Sequence, residues 1–127
     1  MRVGLAVART LSAQDVGQTV VLKGGAILAV EAAEGTDATI RRGTAMTPGA
    51  VVVKVSRPHQ DPRFDVPTVG PETIEIMRAG RARVLAIEAH RTIVLEEPQL
   101  AARAEAAGVS VLAVEAPPLG PQSAVQA

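Results

Sequence analysis

The sequence has no cysteine, tryptophan or tyrosine, and Phe64 is its single aromatic residue among 127. Disulfides, thiol catalysis and cysteine-ligated zinc are therefore excluded. The formal net charge is zero and there is no basic run, which argues against nucleic-acid binding as the main role. No stretch reaches the roughly 18 apolar residues of a membrane span, and the first residues lack the pattern of a secretory signal. We therefore expect a soluble, cytoplasmic protein.

The aliphatic composition of the chain predicts an α/β fold. Apolar residues make up 47% of the chain, and almost all of them are aliphatic. Such a core suits strands packed against helices better than an aromatic-rich all-β sandwich. We predict a single α/β domain over residues 1–116, with a mixed sheet of about six strands and three to four helices. Proline and small polar residues predict a flexible tail over 117–127.

Apolar segments and turn residues predict the order of the elements. The glycines of Lys23-Gly24-Gly25 read as the turn of a β-hairpin, and neither nucleotide-binding glycine fingerprint occurs in the chain. Thr36 or Asp37 is a suitable N-cap for the second helix. We place strand 92–95 beside strand 83–89. The full prediction is helix 3–14, strands 19–22 and 26–31, helix 37–45, strand 50–56, helix 71–79, strands 83–89 and 92–95, helix 98–107 and strand 109–115.

The segment 57–71 is the richest in residues capable of chemistry. Two aspartates, two arginines, a histidine and a glutamine lie within its first nine positions, and four prolines bar regular helix or sheet. Loops held in a fixed shape commonly carry binding and catalytic residues. The alternative is an ordinary polar connection stiffened by surface salt bridges, and composition alone leaves both open.

Asp61 and Asp65 offer two carboxylates in one loop. Such a pair can hold a hard cation such as Mg²⁺, or one member can act as a general base toward water. Lys54, Arg57 and Arg63 could neutralise phosphate, and a second loop adds two more carboxylates. Together these groups suit metal-assisted phosphoryl transfer. The carboxylates of the second loop are Glu34 and Asp37.

A short near-repeat places a glutamate at the end of three apolar strands, as Glu31, Glu88 and Glu115. Ligands of α/β sheets gather at the carboxyl ends of strands, so Glu31 and Glu88 are candidate lining residues. Similar composition producing similar strands is the simpler interpretation.

Two stretches of the chain are specific enough to compare with known families: Glu34-Gly35-Thr36-Asp37 and Gln60-Asp61-Pro62-Arg63-Phe64-Asp65-Val66-Pro67. They are accompanied by Asp15-Val16-Gly17-Gln18, Val53-Lys54-Val55, Gly70-Pro71-Glu72-Thr73 and Ile87-Glu88-Ala89. Together, and in family order, these motifs resemble the C-terminal domain of the LpxI family of UDP-2,3-diacylglucosamine pyrophosphatases over about residues 5–116.

The resemblance implies Mg²⁺-dependent hydrolysis (Mn²⁺ being an alternative metal) of UDP-2,3-diacylglucosamine to UMP and 2,3-diacylglucosamine 1-phosphate, a step of lipid A biosynthesis. It implies Asp65 as the essential aspartate, binding metal or activating water, with Asp61 beside it. Gln60, Arg63 and Lys54 would hold phosphate. The residues implied for the nucleotide-sugar site are Glu34, Thr36, Asp37, Asp15 and Gln18.

The chain departs from the family in length, because family members are about twice as long and carry an N-terminal α/β domain. Three alternatives remain open: the chain is a fragment, it has a separate N-terminal partner subunit, or it is a stand-alone descendant that no longer runs the reaction. We also expect a homodimer, because a truncated cleft tends to leave apolar surface uncovered. The acylated substrate also implies work at the surface of the inner membrane. The alternative function is a non-catalytic module that binds a nucleotide-sugar or lipid, or that serves oligomerisation.

Overall fold

The computed structural model of the protein describes residues 1–57 and 66–115. Its helices are α1 (Arg2–Ala13), α2 (Thr36–Thr44), α3 (Pro71–Ala79) and α4 (Glu97–Ala107). Its strands are β1 (Thr19–Lys23), β2 (Ala26–Val30), β3 (Val51–Lys54), β4 (Thr68–Val69), β5 (Val84–Glu88), β6 (Ile93–Val94) and β7 (Ser110–Val114). The predicted tail, 117–127, lies outside the described residues.

The main sheet is mixed and has five strands in the order β2-β1-β3-β5-β7. Strand β1 runs antiparallel to both of its neighbours, β2 and β3. Strands β3, β5 and β7 are parallel to one another. As a result, the start of β1 lies at the same edge of the sheet as the carboxyl ends of β2, β3, β5 and β7. We call this edge the carboxyl edge.

Helices cover both faces of the main sheet. On one face α1 packs against Val20, Leu22, Val53 and Ala86 through residues that include Ala8. On the other face α2, α3 and α4 enclose a larger aliphatic core built around fully buried side chains. That core includes Val21, Ile40, Val52, Ile74, Met77 and Leu85. The single α/β unit predicted from the aliphatic composition is confirmed.

Local sequence explains where the helices begin and end. Helix α3 starts at Pro71, whose fixed φ suits the first helical position, and Gly80 is its C-cap. Helix α4 ends at Gly108, which has φ 70°, a conformation that glycine adopts without steric cost. In the hairpin, Gly24 and Gly25 both have positive φ, as a two-residue type I′ turn requires.

Two details differ from the sequence prediction. Strand β6 is not the neighbour of β5: it pairs in parallel with β4, and the two form a separate two-stranded sheet. Strand β5 already has β3 and β7 on its two sides. Thr68 and Val69 contribute strand β4 from within what we predicted as an irregular loop. The predicted strand 92–95 therefore exists, but its placement was wrong.

The second difference is the start of α2. Its N-cap is Gly35, which has φ 92°, and neither Thr36 nor Asp37 caps the helix. Thr36 is the first helical residue, and its hydroxyl bonds to Thr19 and Glu31 instead of to a helix amide. The tertiary contact thus replaces the local cap that the sequence suggested.

Candidate functional site at the carboxyl edge

The carboxyl edge brings together residues that are far apart in the sequence. Thr19 at the start of β1 lies opposite Lys54 at the end of β3, and Lys54 lies opposite Ile87 in β5. Helix α2 begins at this edge, because Thr36 contacts Thr19. The segment that contains Asp61 and Asp65 is also entered here, since it follows β3 directly. In an α/β sheet this edge is where ligands usually bind.

Glu31 is the centre of one polar network at this edge. Its side chain is buried, with 8% of its surface exposed. Its Oε1 accepts a hydrogen bond from the backbone N–H of Gln18 at 3.0 Å and a longer one from the hydroxyl of Thr36 at 3.4 Å. The hydroxyls of Thr36 and Thr19 share a hydrogen bond of 3.0 Å. Glu31 therefore fixes the entry to β1 and the start of α2 relative to each other.

Gln18 and Lys54 tie the central strands to the loops around them. The side-chain amide of Gln18 donates to the carbonyl of Val55 at 3.2 Å, and its backbone carbonyl accepts from Val55 N–H at 2.9 Å. Lys54 donates from Nζ to the carbonyl of Thr68 at 2.9 Å. Both side chains are half-buried. Lys54 thereby places a positive charge between the end of β3 and the start of β4.

Asp15 and Asp37 lie nearer to solvent. The carboxylate of Asp15 is 78% exposed and lies 3.3 Å from Nε of Arg57. Asp37 is exposed in the first turn of α2. A carboxylate in the first turn of a helix interacts favourably with the helix dipole. This structural role of Asp37 does not exclude that it also binds a ligand.

Glu34 is engaged by Arg42 of α2. The guanidinium binds both carboxylate oxygens, with Nε to Oε2 at 3.2 Å, and also donates to the carbonyl of Val30 at 2.9 Å. The hydrogen bonds from Arg42 hold the pKa of Glu34 below its ordinary value, and Glu34 raises the pKa of Arg42. The pair is exposed, so solvent screening limits its contribution to stability.

Glu88 is the centre of a second network, around the end of β3. Its carboxylate is 4% exposed. Oε1 accepts from the N–H of Ser56 at 2.9 Å and from its hydroxyl at 2.8 Å, while Oε2 accepts from Arg9 Nη1 at 3.1 Å. Glu31 and Glu88 both end similar apolar strand sequences, and they make equivalent contacts. Each accepts a hydrogen bond from the backbone N–H of a residue that flanks a central strand. Glu115, the third copy, is exposed on the surface near His90.

The described residues do not by themselves form a metal site. No group of three His, Cys, Asp or Glu side chains suitable for a metal ion occurs within 1–57 and 66–115. Both buried glutamates at the carboxyl edge already accept backbone N–H groups. The predicted metal ligands Asp61 and Asp65, and the predicted phosphate-binding residues Gln60 and Arg63, lie outside the described residues.

Two described cavities lie elsewhere on the protein. One, of about 570 Å³, is lined by the ends of α2 and α3, including Thr44, Met46 and Gly80, near the opposite edge of the sheet. The other, of about 430 Å³, lies between α4 and the edge strand β7 and is mainly apolar. Neither is lined by Gln18, Thr36 or Lys54. We therefore base the candidate site on the convergence of polar groups.

Sequence reasoning did not identify Arg9, Ser12 or Ser56 as part of this region. Arg9 is only 13% exposed although it lies on a surface helix. Ser12 donates to the carbonyl of Ser56 at 2.8 Å. The one sequence feature that could have indicated Arg9 and Ser12 is their spacing of three positions in α1, a mainly apolar helix. Their partner Ser56 is 44 positions from Ser12, so no local pattern joins them.

None of the helices in the described residues is long and apolar enough to cross a membrane. The longest, α1, has 12 residues.

Comparison with known proteins supports the resemblance seen in the motifs. Residues 1–112 match the family described as the LpxI C-terminal domain. The chain is also 40% identical, over 122 residues, to the UDP-2,3-diacylglucosamine pyrophosphatase LpxI of Caulobacter vibrioides. That alignment covers 87% of this chain and 43% of the relative, so the chain spans less than half the length of this curated relative. The chain therefore belongs to the LpxI family, in which it corresponds to the C-terminal domain.

Proposed function

We propose that this chain carries the hydrolytic part of a UDP-2,3-diacylglucosamine pyrophosphatase. The reaction would cleave the pyrophosphate to give UMP and 2,3-diacylglucosamine 1-phosphate, for lipid A biosynthesis. The observation that carries the proposal is the convergence at one edge of the sheet of Gln18, Thr36 and Lys54. These three residues come from three separate family-like motifs. The segment that contains Asp61 and Asp65 follows β3 directly at the same edge.

Each candidate site residue identified from the sequence has a proposed part in this reaction. Asp65, with Asp61 beside it, would bind Mg²⁺ or Mn²⁺ or activate water. The metal, when bound, would neutralise charge that develops on the phosphate oxygens. Lys54, Gln60 and Arg63 would bind the phosphates. The nucleotide-sugar would contact Asp15, Gln18, Glu34, Thr36 and Asp37.

The fixed placement of Lys54 supports its phosphate role. Its Nζ is held 2.9 Å from the carbonyl of Thr68, at the end of a strand and half-buried. A cation held before the ligand arrives loses less conformational entropy on binding than one on a free side chain.

The full-length relative is more than twice as long, and we propose that a complete active site needs a further component. That component would be a separate N-terminal α/β domain or a second copy of this chain in a homodimer. The diacylated substrate would place the assembly in the cytoplasm, at the surface of the inner membrane. Nucleic acid has no part in this proposal.

An assay of UMP release from UDP-2,3-diacylglucosamine tests the proposal. Turnover should require Mg²⁺, cease with EDTA and fall by about 10²–10³-fold in Asp65→Ala, as expected when a principal electrostatic group is lost. Glu75→Ala is the matched acidic control, because Glu75 pairs with Arg78 and Arg103 on the helical face. Activity independent of metal, or unchanged in Asp65→Ala, would contradict the proposal.

A non-catalytic module that binds a nucleotide-sugar or lipid is the second candidate. The polar groups of Gln18, Thr36 and Lys54 at the carboxyl edge would serve such binding without a metal. Calorimetric titration with a non-hydrolysable UDP-sugar separates the two. If the chain is an enzyme, metal should strengthen binding of the UDP-sugar, and Asp65→Ala should abolish this effect. If it is a non-catalytic module, the affinity for the UDP-sugar should not depend on metal.

A further inference from the structure

Glu88 is a buried carboxylate whose two oxygens have different partners. Oε1 binds only groups of Ser56 among the described residues, through the N–H at 2.9 Å and the hydroxyl at 2.8 Å. Oε2 faces arginines, with Arg9 Nη1 at 3.1 Å and Arg91 Nε at 3.9 Å. Burial of a carboxylate is unfavourable unless such partners compensate for lost hydration. The contacts of Oε1 with Ser56 and those of Oε2 with the arginines can therefore be removed separately by mutation.

Ser56 is held from three directions. Besides its two bonds to Glu88, its carbonyl accepts the hydroxyl of Ser12 at 2.8 Å, which links it to α1. Its backbone N–H, hydroxyl and carbonyl all have buried partners. Ser56 lies two residues beyond the end of β3 and directly before the segment 57–71, which contains Asp61 and Asp65. The position and direction of the chain where it leaves the sheet are consequently fixed by β5 and α1.

We propose that Glu88 is a positioning residue for the hydrolysis, acting through Ser56. By holding the N–H and hydroxyl of Ser56, Oε1 sets where the chain enters the segment that carries Asp61 and Asp65. The inference rests on the proposed function, because it assigns Glu88 a role in that reaction. A misplacement of about 1 Å near reacting groups can lower a rate by about 10²-fold.

A purely structural role is the competing interpretation, in which Glu88 only attaches α1 to the sheet through Arg9. Two double variants distinguish the roles. Arg9→Met with Glu88→Gln removes both charges but keeps a carbonyl oxygen that can accept from Ser56. Arg9→Met with Glu88→Leu removes the same charges and also the acceptor. Neither variant leaves a buried, unpaired charge between Arg9 and Glu88, so the two differ mainly in the contact to Ser56.

The experiment measures kcat and KM for UMP release together with amide hydrogen exchange at Ser56, with thermal melts to confirm folding. The glutamine variant should keep kcat within about tenfold of wild type and keep Ser56 protected. The leucine variant should lose about 10²-fold in kcat with little change in KM, and its Ser56 amide should exchange at least about tenfold faster. If the leucine variant does not fold, Ser56→Ala supplies the test, with a smaller loss of kcat from removal of the hydroxyl bond alone.

Equal loss of kcat in both double variants, or full activity in the leucine variant, would overturn the proposal. Full activity in a folded Ser56→Ala variant would also count against it. No turnover in the wild type, even with a supplied N-terminal α/β domain, would instead refute the proposed function. Exchange at Ser56 would then still decide whether Glu88 anchors this junction: protection in the glutamine variant and loss in the leucine variant would uphold the anchoring, and equal exchange would reject it.

Discussion

Gly17 provides a direct test of the packing that fixes the Glu31 network. A Cβ added at position 17 would lie 2.2 Å from the backbone oxygen of Glu31 and 2.7 Å from its carbonyl carbon. An ordinary contact begins near 3.4 Å, so the two backbones would have to separate by about 1.2 Å. No rotamer change can supply this, because the obstructing atoms are main chain. The same movement would lengthen the 3.0 Å bond from Gln18 N–H and the 2.9 Å bond from Glu31 N–H to Thr19.

Gly17→Ala should lower the free energy of unfolding by about 2–4 kcal/mol. This combines overpacking of about 1–3 kcal/mol with partial loss of a charge-assisted hydrogen bond, less the small gain from a stiffer unfolded chain. Urea denaturation followed by far-ultraviolet circular dichroism measures it, since the chain has no tryptophan or tyrosine. Gly70→Ala is the control, because its Cβ would first meet a flexible carboxylate oxygen of Glu72 at 3.3 Å. It should cost no more than about 1 kcal/mol. Equal stability of the two variants would refute the reasoning.

Two further predictions concern single contacts. Ser12→Ala should destabilise the fold by about 1–2 kcal/mol, because it leaves the buried carbonyl of Ser56 without that donor. Thr10→Ala should cost less, because the hydroxyl of Thr10 is exposed and bonds to the carbonyl of Ala6 within α1. Equal losses in urea melts would contradict this. By NMR titration, the carboxyl of Glu34 should have a pKa below its ordinary 4.5 because of Arg42. Since its folded pKa is depressed, the pair stabilises the fold above about pH 4.5 and ceases to do so as the pH falls through the folded pKa. A pKa of 4.5 or higher, or one unaltered in Arg42→Gln, would count against the pairing.

Much of the fold could be predicted because local chemistry and burial agree along most of the chain. The glycine pair at 24–25 defines the hairpin, and Pro71 and Gly80 bound α3. Continuous valines at 51–53 identify a strand buried within the sheet. Strand pairing was harder to predict from the sequence. The two-residue strands β4 and β6 pair across 23 intervening residues, and neither has a periodic pattern long enough to indicate its partner.

The candidate site was predictable only as a set of motifs. Family-like stretches identified Gln18, Thr36 and Lys54, but the reason for their proximity is the antiparallel placement of β1 between β2 and β3. The roles of Glu31 and Glu88 also needed the structure, because a glutamate after an apolar strand has no pattern that distinguishes a buried acceptor from an exposed residue. Glu115, with the same local sequence, is exposed.

The proposed hydrolysis requires that a divalent metal bind at the carboxyl edge of the sheet. Paramagnetic broadening by Mn²⁺ in amide NMR spectra tests it most directly, because the effect falls steeply with distance and the two edges are roughly 15 Å apart along a five-residue strand. We predict that Mn²⁺ broadens the amides of Gln18, Thr36 and Ser56 well before those of Gly24 and Gly49 at the opposite edge, and that Asp65→Ala removes this difference. Equal broadening at both edges, or an unchanged pattern in Asp65→Ala, would contradict the account.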